Sequence, residues 1–219
     1  MKLIISVFFI IFVLTACAQH NSNEIINKNI EKTTIEKIDC NDLLQNNKKF
    51  TCFLEKSNKN DPIALRELGF LYEQGKGVNK NYLKAFKYFQ KAALLNDIYA
   101  QNELAYYYEL GWGVEKDYTK AMYWYKKTAE KNNIYGLNKV AYLYAKGYGV
   151  ERNYQKSYRW FRKSVLQGDA YATSWLGYQF EMGLGVPQSY EEARKLYTAS
   201  GNDYSIKRLK LMKEKGLIK

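Results

Sequence analysis

Few residues of this sequence have types suited to chemistry: three cysteines, Cys17, Cys40 and Cys52, and one histidine, His20. A single histidine excludes a multi-histidine metal site and a Ser-His-Asp triad within one chain. His20 lies in a polar segment where no metal role is expected. No nucleophile and base stand in a recognisable pair, so we predict neither catalysis nor a cofactor. The cysteines carry the chemistry that remains.

The first cysteine follows a short apolar segment at the start of the chain. Lys2 precedes an apolar run over residues 3–14, which is too short to span a bilayer and is typical of a signal-peptide core. Leu14-Thr15-Ala16-Cys17 resembles the bacterial lipobox. This resemblance implies cleavage after a signal peptide of residues 1–16 and lipidation of Cys17. The alternative is an ordinary secreted protein with an incidental cysteine.

Residues 17–38 are polar and predict a flexible tether between the anchor and the folded part. Ala18 follows the cysteine, where the sorting rule of bacterial lipoproteins places an aspartate for retention in the inner membrane. Its absence implies an outer-membrane lipoprotein that faces the periplasm. In that oxidising compartment the remaining pair, Cys40 and Cys52, is expected to form a disulfide, and two buried free thiols are the alternative.

Composition narrows the class of protein further. Of 219 residues 47% are hydrophobic, which excludes a wholly disordered chain. Lys and Arg number 34 against 22 Asp and Glu, a formal net charge of +12. Nucleic acid is not an expected partner because the signal segment directs the chain out of the cytoplasm. The charge fits an acidic protein or an anionic surface, or simply a solvated face of lysines. The chain is expected to be a monomer.

A 36-residue repeat organises the rest of the sequence. Gly-x-Gly-Val recurs four times, at Gly75-Lys76-Gly77-Val78, Gly111-Trp112-Gly113-Val114, Gly147-Tyr148-Gly149-Val150 and Gly183-Leu184-Gly185-Val186. Apolar residues at helical spacing precede and follow each copy, which predicts two helices joined by a glycine turn. A nucleotide-binding glycine loop needs a preceding strand and a third glycine, and this pattern has neither.

The pattern Ala-x-x-x-Leu-Gly-x-x-Tyr-x-x-Gly-x-Gly-Val-x-x-x-Tyr-x-x-Ala resembles the Sel1-like repeat, a relative of the tetratricopeptide repeat. Such units cannot bury their own apolar faces and must stack. The sequence therefore predicts an all-α fold, a right-handed α-solenoid of four helix-turn-helix repeats with capping helices. The predicted repeats are 61–96, 97–132, 133–168 and 169–202, with an N-terminal cap at 39–60 and a C-terminal cap at 203–219.

The resemblance implies that the first helices line a face that binds another protein. Three columns recur on them at the repeat spacing and form the predicted partner-binding set. An aromatic column holds Phe70, Tyr106, Tyr142 and Tyr178; a second holds Ile63, Tyr99, Tyr135 and Tyr171; a polar column holds Arg66, Asn102, Asn138 and Ser174. Aromatic anchors with directional hydrogen bonds are typical of interaction hot spots. The alternative is that these rings only pack between repeats.

Taken together, the sequence predicts a lipid-anchored protein that binds a protein or peptide partner, as an adaptor or scaffold, or as an immunity protein against a secreted toxin such as a phospholipase effector. A host-interaction or envelope-maintenance factor is the alternative. Cysteine-rich Sel1-like proteins imply a further, β-lactam-binding or hydrolysing possibility. Those proteins carry a disulfide in each repeat, and this sequence has no cysteine within its repeats.

Overall fold

The computed structural model describes residues 39–43 and 45–219, so the predicted signal peptide, Cys17 and the whole predicted tether lie outside the described residues. These residues form a short 3₁₀ helix, Cys40–Asp42, and ten α-helices. The helices are α1 Asn46–Ser57, α2 Pro62–Gln74, α3 Tyr82–Leu94, α4 Ile98–Leu110, α5 Tyr118–Glu130, α6 Ile134–Lys146, α7 Tyr154–Val165, α8 Ala170–Met182, α9 Tyr190–Ser200 and α10 Asp203–Glu214. Within the described residues, each helix is too short or too polar to cross a membrane.

The sequence starts and stops the first helix of each repeat by the same local device. An Asp or Asn side chain accepts hydrogen bonds from the first free backbone N–H groups, as Asp97 does from Ala100 at 2.7 Å. The helix then ends at a glycine in the left-handed region, such as Gly111 with φ 78°. This combination recurs at α2, α4, α6 and α8, so the helical hairpin is encoded locally in each repeat.

The second helices supply the large side chains that fill the interior. Phe89, Tyr125, Phe161 and Tyr197 occupy one repeat position and are fully buried. Small residues on the same helices, such as Ala85 and Ala121, are fully buried as well, which lets paired helices approach closely. Each second helix packs on the first helix of its own repeat and on the helix that follows it, which is the capping helix α10 after the fourth repeat. The predicted all-α solenoid of four repeats is confirmed.

The second glycine of each turn is required by a contact between repeats. Gly113 has φ 65°, and a Cβ atom built on it would lie 2.5 Å from the backbone of Tyr82 and Leu83, where α3 of the preceding repeat begins. Such a distance is far inside van der Waals contact, so only glycine fits. The turn of one repeat therefore docks on the previous repeat as well as reversing the chain.

Helices outside the repeats cover both ends of the stack. At the N-terminal end, a disulfide joins Cys40 in the 3₁₀ helix to Cys52 in α1, and both residues are buried beside Leu68 of the first repeat. At the C-terminal end, Met212 of α10 is buried against Tyr197 of the fourth repeat. These contacts hide apolar surface that a further repeat would otherwise cover.

Candidate binding face

The open face of the solenoid is formed by the first helices α2, α4, α6 and α8. Its outermost column is Ile63, Tyr99, Tyr135 and Tyr171, all exposed. The exposed fractions of the three tyrosines are 65%, 44% and 46%, high for large aromatic side chains. Three rings at one repeat position present a regularly spaced row that solvent and a partner can reach.

The other predicted aromatic column is half-buried and serves packing in part. Phe70 lies against Phe89 with ring centroids 5.0 Å apart, and Tyr106 meets Trp112 of its own turn at 5.6 Å. Further along, Tyr142 and Tyr178 both contact Trp175 edge-on at 5.8 Å. These rings are therefore partly covered by other rings, whereas the tyrosines of the outer column are exposed.

The polar column links successive repeats. Arg66 Nη1 donates to Asp97 Oδ2 at 2.8 Å, Asn102 Nδ2 to Asn133 Oδ1 at 3.0 Å, and Asn138 Nδ2 to Asp169 Oδ1 at 3.0 Å. Each acceptor is the residue that caps the first helix of the next repeat. One side chain per repeat therefore fixes the start of the following helix to the helix before it.

This finding changes the role of three residues predicted to bind a partner. Asn102 is only 6% exposed, and its Oδ1 also accepts a hydrogen bond from Thr128 at 2.7 Å. Asn138 commits its amide nitrogen to Asp169. Ser174 is 4% exposed and donates to the Tyr171 carbonyl at 2.8 Å. Because their donors are satisfied within the chain, we reassign Asn102, Asn138 and Ser174 from partner binding to the internal structure of the solenoid.

The sequence analysis did not select a further column on the first helices. Its side chains differ between repeats and help to fill each junction, by which we mean the contact between two successive repeats. The column holds Glu67, Glu103, Lys139 and Trp175, four residues after each member of the outer column and three before each member of the inner one. Residues at these spacings share one helix face, so the signal was present in the sequence. It was hidden because the residue type changes from repeat to repeat.

At the second junction, between repeats two and three, this column supplies a cation. Lys139 Nζ pairs with Glu109 Oε2 at 3.0 Å, and the Tyr125 hydroxyl donates to the same carboxylate oxygen at 2.8 Å. The ammonium also lies 5.3 Å from the ring centre of Tyr106 and 5.6 Å from that of Tyr135. The second junction is therefore closed by an internal ion pair within an aromatic cage.

At the first junction, between repeats one and two, the equivalent positions hold two acids, Glu73 and Glu103. Burial and the neighbouring Glu73 raise the pKa of Glu103 to about 7. Burial likewise raises the pKa of Glu73, although the Tyr107 hydroxyl and Lys80 act in the opposite direction. No described Lys or Arg forms a salt bridge with either carboxylate.

At the third junction, between repeats three and four, the equivalent positions hold Ala145 and Trp175, and a cavity of about 500 Å³ opens there. Its aromatic walls come from three helices, α7, α8 and α10: Tyr154, Tyr171, Trp175, Tyr178 and Tyr204. Lys146 also lines it, and among the described residues no carboxylate forms a salt bridge with this lysine. The third junction thus combines apolar surface with one unpaired positive charge, the composition of a binding pocket.

The predicted aromatic residues therefore divide between two places on the open face. Tyr106 and Tyr135 meet around Lys139, whereas Tyr142, Tyr171 and Tyr178 meet around Trp175. Within the described residues, no cluster of His, Cys, Asp and Glu could hold a metal ion. What the face offers is aromatic surface, hydrogen-bonding phenols and isolated charges, which suit recognition of another molecule.

Comparison with known proteins agrees with this architecture. A family model described as Sel1 repeat matches residues 62–97, 98–133, 134–169 and 170–202. Each match begins one residue after the predicted boundary of its repeat. No curated protein matches the chain in sequence.

Three solved structures share the fold. A protective antigen of uropathogenic Escherichia coli strains, displaying an SLR fold, is 34% identical with a TM-score of 0.74, over 79% of this chain and 38% of the antigen. The chain therefore spans well under half of that antigen's length. A Sel1 repeat protein from Oxalobacter formigenes is 30% identical with a TM-score of 0.69, over 75% of this chain and 69% of that one. The third is a putative Sel1 repeat protein from Klebsiella pneumoniae, with a TM-score of 0.50. It is 19% identical over 76% of this chain and 84% of that one, so this likeness shows the fold alone.

Proposed function

The chain belongs to the Sel1 repeat family, and from that premise we propose that it binds another protein along the open face of α2, α4, α6 and α8. The observation that carries the proposal is the outer column of tyrosines. Tyr99, Tyr135 and Tyr171 are exposed, although the solenoid has buried positions for rings on the same hairpins. Exposed tyrosines supply large contact area at low conformational cost, and they are enriched among the residues that dominate binding energy.

We further propose that the protein is held at the bacterial outer membrane, facing the periplasm, by lipid attached to Cys17. The support is the apolar segment and lipobox-like motif described above. Acyl chains contribute about 0.8 kcal/mol per buried CH₂, and two or more chains give stable attachment. Replacement of Cys17 by Ser should move the protein from the membrane fraction to the soluble fraction and abolish labelling by a radioactive fatty acid. Retention of membrane attachment by this variant would contradict the anchor.

In this setting the chain acts as an adaptor or scaffold, or as an immunity protein that neutralises a secreted toxin such as a phospholipase effector. A host-interaction or envelope factor is the second candidate. It is favoured by the 34% identity to a protective antigen, since an antigen must be accessible to the host. The two roles differ in the partner, which is a bacterial protein in the first case and a host protein in the second.

The experiment that tests partner binding uses the lipid-free protein, with the signal segment removed and Cys17 replaced, as bait on its native cell envelope. Proteins that co-elute are identified and then purified for binding measurements. The double variant Tyr99→Ala and Tyr135→Ala should weaken binding of the identified partner at least about tenfold, the loss of about 1.4 kcal/mol or more typical of hot-spot residues.

A matched control is available on the other side of the hairpin. Tyr123 is 54% exposed but lies on a second helix, α5, so Tyr123→Ala removes an exposed ring without touching the open face. We expect it to leave the affinity within about twofold. Equal losses for Tyr123→Ala and for the double variant, with both proteins folded, would refute the assignment of binding to the open face.

A further inference from the structure

We propose that the cavity at the third junction seats an aromatic side chain from an extended segment of the partner protein, with an adjacent carboxylate of that segment paired to Lys146. This inference rests on the proposed function, because it names the chemistry that the open face recognises. The support comes from the first and second junctions of the same chain, where internal side chains occupy the space that is open at the third junction.

The central residue of the glycine turn differs at the third junction. Trp112, from the turn of the second repeat, stacks on Tyr82 of the first repeat with centroids 4.8 Å apart. Tyr148 stacks in the same way on Tyr118 at 4.7 Å. In the fourth repeat this position is Leu184, which lines the cavity with Tyr154. Among the described residues no ring stacks on Tyr154, so the third junction lacks the ring that the other two supply internally.

The same tyrosines also lie close to a cation. Lys80 lies 4.6 Å from the ring centre of Tyr82, and Lys116 lies 4.7 Å from that of Tyr118. Tyr154 keeps this feature, because the Arg152 guanidinium lies 5.8 Å from its ring centre. The third junction therefore retains the cation and the tyrosine of the stack and omits only the aromatic ring. A ring from outside the chain would complete the arrangement.

The third junction also lacks a carboxylate that the other repeats carry. Glu73, Glu109 and Glu181 occupy one repeat position, and in the third repeat that position is Ala145. Lys146 follows this position, and its Nζ lies 5.6 Å from the ring centre of Tyr142 and 6.0 Å from that of Trp175. Because no described carboxylate forms a salt bridge with Lys146, an acidic group on the guest can pair with this ammonium. The net charge of +12 also favours the approach of an acidic segment over a basic one.

The size of the cavity suits such a guest. Its volume of about 500 Å³ falls within the range of about 300–1,000 Å³ found for ligand pockets. Trp175 and Tyr178 form a perpendicular pair with centroids 5.8 Å apart, and Tyr204 of α10 adds a wall from the C-terminal cap. Two substitutions to smaller residues, Ala145 and Leu184, thus create a site that the repeat pattern alone would have closed.

The test uses the folded protein and a synthetic peptide as the probe, acetyl-Gly-Glu-Phe-Glu-Gly-amide. The chain contains four tryptophans, so a ¹⁵N-labelled sample gives four indole N–H signals, and the variant Trp175→Phe assigns the one in the cavity. We expect saturable displacement of the Trp175 signal. Peptides with Ala for Phe, or Gln for both Glu residues, should bind at least about tenfold more weakly.

Two variants of the protein address the two halves of the site. Leu184→Trp restores the ring of the other junctions and should weaken the Phe peptide at least about tenfold, while Lys76→Trp, at the same turn position of the first repeat, should not. Lys146→Glu should weaken the peptide more than Lys131→Glu, which makes the same charge change at another helix C-terminus. Thermal melting of each variant verifies that it remains folded, and the Lys146 pair keeps the test decisive if Leu184→Trp unfolds.

Several outcomes would overturn the inference. They are no displacement of the Trp175 signal, equal affinity for the Phe and Ala peptides, or equal effects of Lys146→Glu and Lys131→Glu. The inference also fails separately from the proposed function. If Tyr99→Ala with Tyr135→Ala releases the natural partner but Leu184→Trp does not, the open face binds the partner and the third-junction cavity is not where it anchors.

Discussion

The second and third junctions have the same backbone arrangement, but different side chains line them. At the second, Lys139 and Glu109 form an ion pair inside a ring of tyrosines, and Tyr148 covers Tyr118. At the third, Trp175 and Ala145 take the place of the ion pair, Leu184 takes the place of the covering ring, and a cavity is left. The difference shows that helix caps, glycines and core rings build the solenoid, while a few positions between repeats decide whether a junction is closed or available.

At the first junction the same two repeat positions hold a third combination of residues. This junction carries two carboxylates, Glu73 and Glu103, where the second junction has a carboxylate and an ammonium. Burial and mutual repulsion raise the pKa of Glu103 to about 7, so near neutral pH this junction is the one whose charge changes. Stability should therefore depend on the junctions unequally.

The largest effect is expected where all junctions are alike, at the second glycine of the turn. Gly113→Ala places a Cβ against the start of α3 and should lower the free energy of unfolding by more than about 3 kcal/mol, measured by urea denaturation. Gly168→Ala is the control, because Gly168 also has positive φ but nothing within 4 Å of an added Cβ. It should cost about 1 kcal/mol. Equal costs would mean that the turn does not dock on the preceding repeat.

Removal of the cation from the second junction should give the next largest effect. Lys139→Met leaves Glu109 without its counterion in a largely buried position, so we expect a loss of about 2 to 3 kcal/mol in the free energy of unfolding. Lys131→Met, at an exposed site, should change it by less than about 0.5 kcal/mol. An Lys139→Met protein as stable as the parent would show that the ion pair does not close this junction.

The first junction can be converted toward the second by Glu103→Lys. The new ammonium would stand at the repeat position of Lys139 and face Glu73, so repulsion becomes attraction. We expect a gain of about 1 to 2 kcal/mol at pH 7, a fraction of the Coulomb energy at a partly screened site. Glu115→Lys makes the same charge change at an exposed position, and a gain of equal size there would trace the effect to net charge alone.

The pH dependence of stability should report Glu103 directly. The native pKa of about 7 lies above the ordinary value of 4.5, so between these pH values the folded chain binds more protons than the unfolded one. Stability is therefore greatest below pH 4.5 for this group and falls as the pH rises to 7, by about 1 kcal/mol after solvent screening. Glu103→Gln should flatten this part of the curve, whereas Glu115→Gln should not.

Much of the fold could be predicted from the sequence because its signals are local. The caps at Asp97 and Asn133, the glycine at each helix end and the apolar stripes each act within a few residues. The exposed tyrosine column followed from the same periodicity. The polar column was misassigned because the partners of Arg66, Asn102 and Asn138 lie 31 residues away, and only the spacing of stacked helices brings them together.

The stack of four helical hairpins could be predicted from the amino-acid sequence alone, since the repeat period, the helix caps and the turn glycines are properties of neighbouring residues. Only the tertiary structure shows which rings are exposed to solvent and where a lysine or a carboxylate lies without a counterion. The reason is physical: a pocket is a space between elements, and its size depends on what the next repeat places there. Leu184 and Ala145 are unremarkable as single residues, and only the stacking of two repeats turns their small side chains into a cavity.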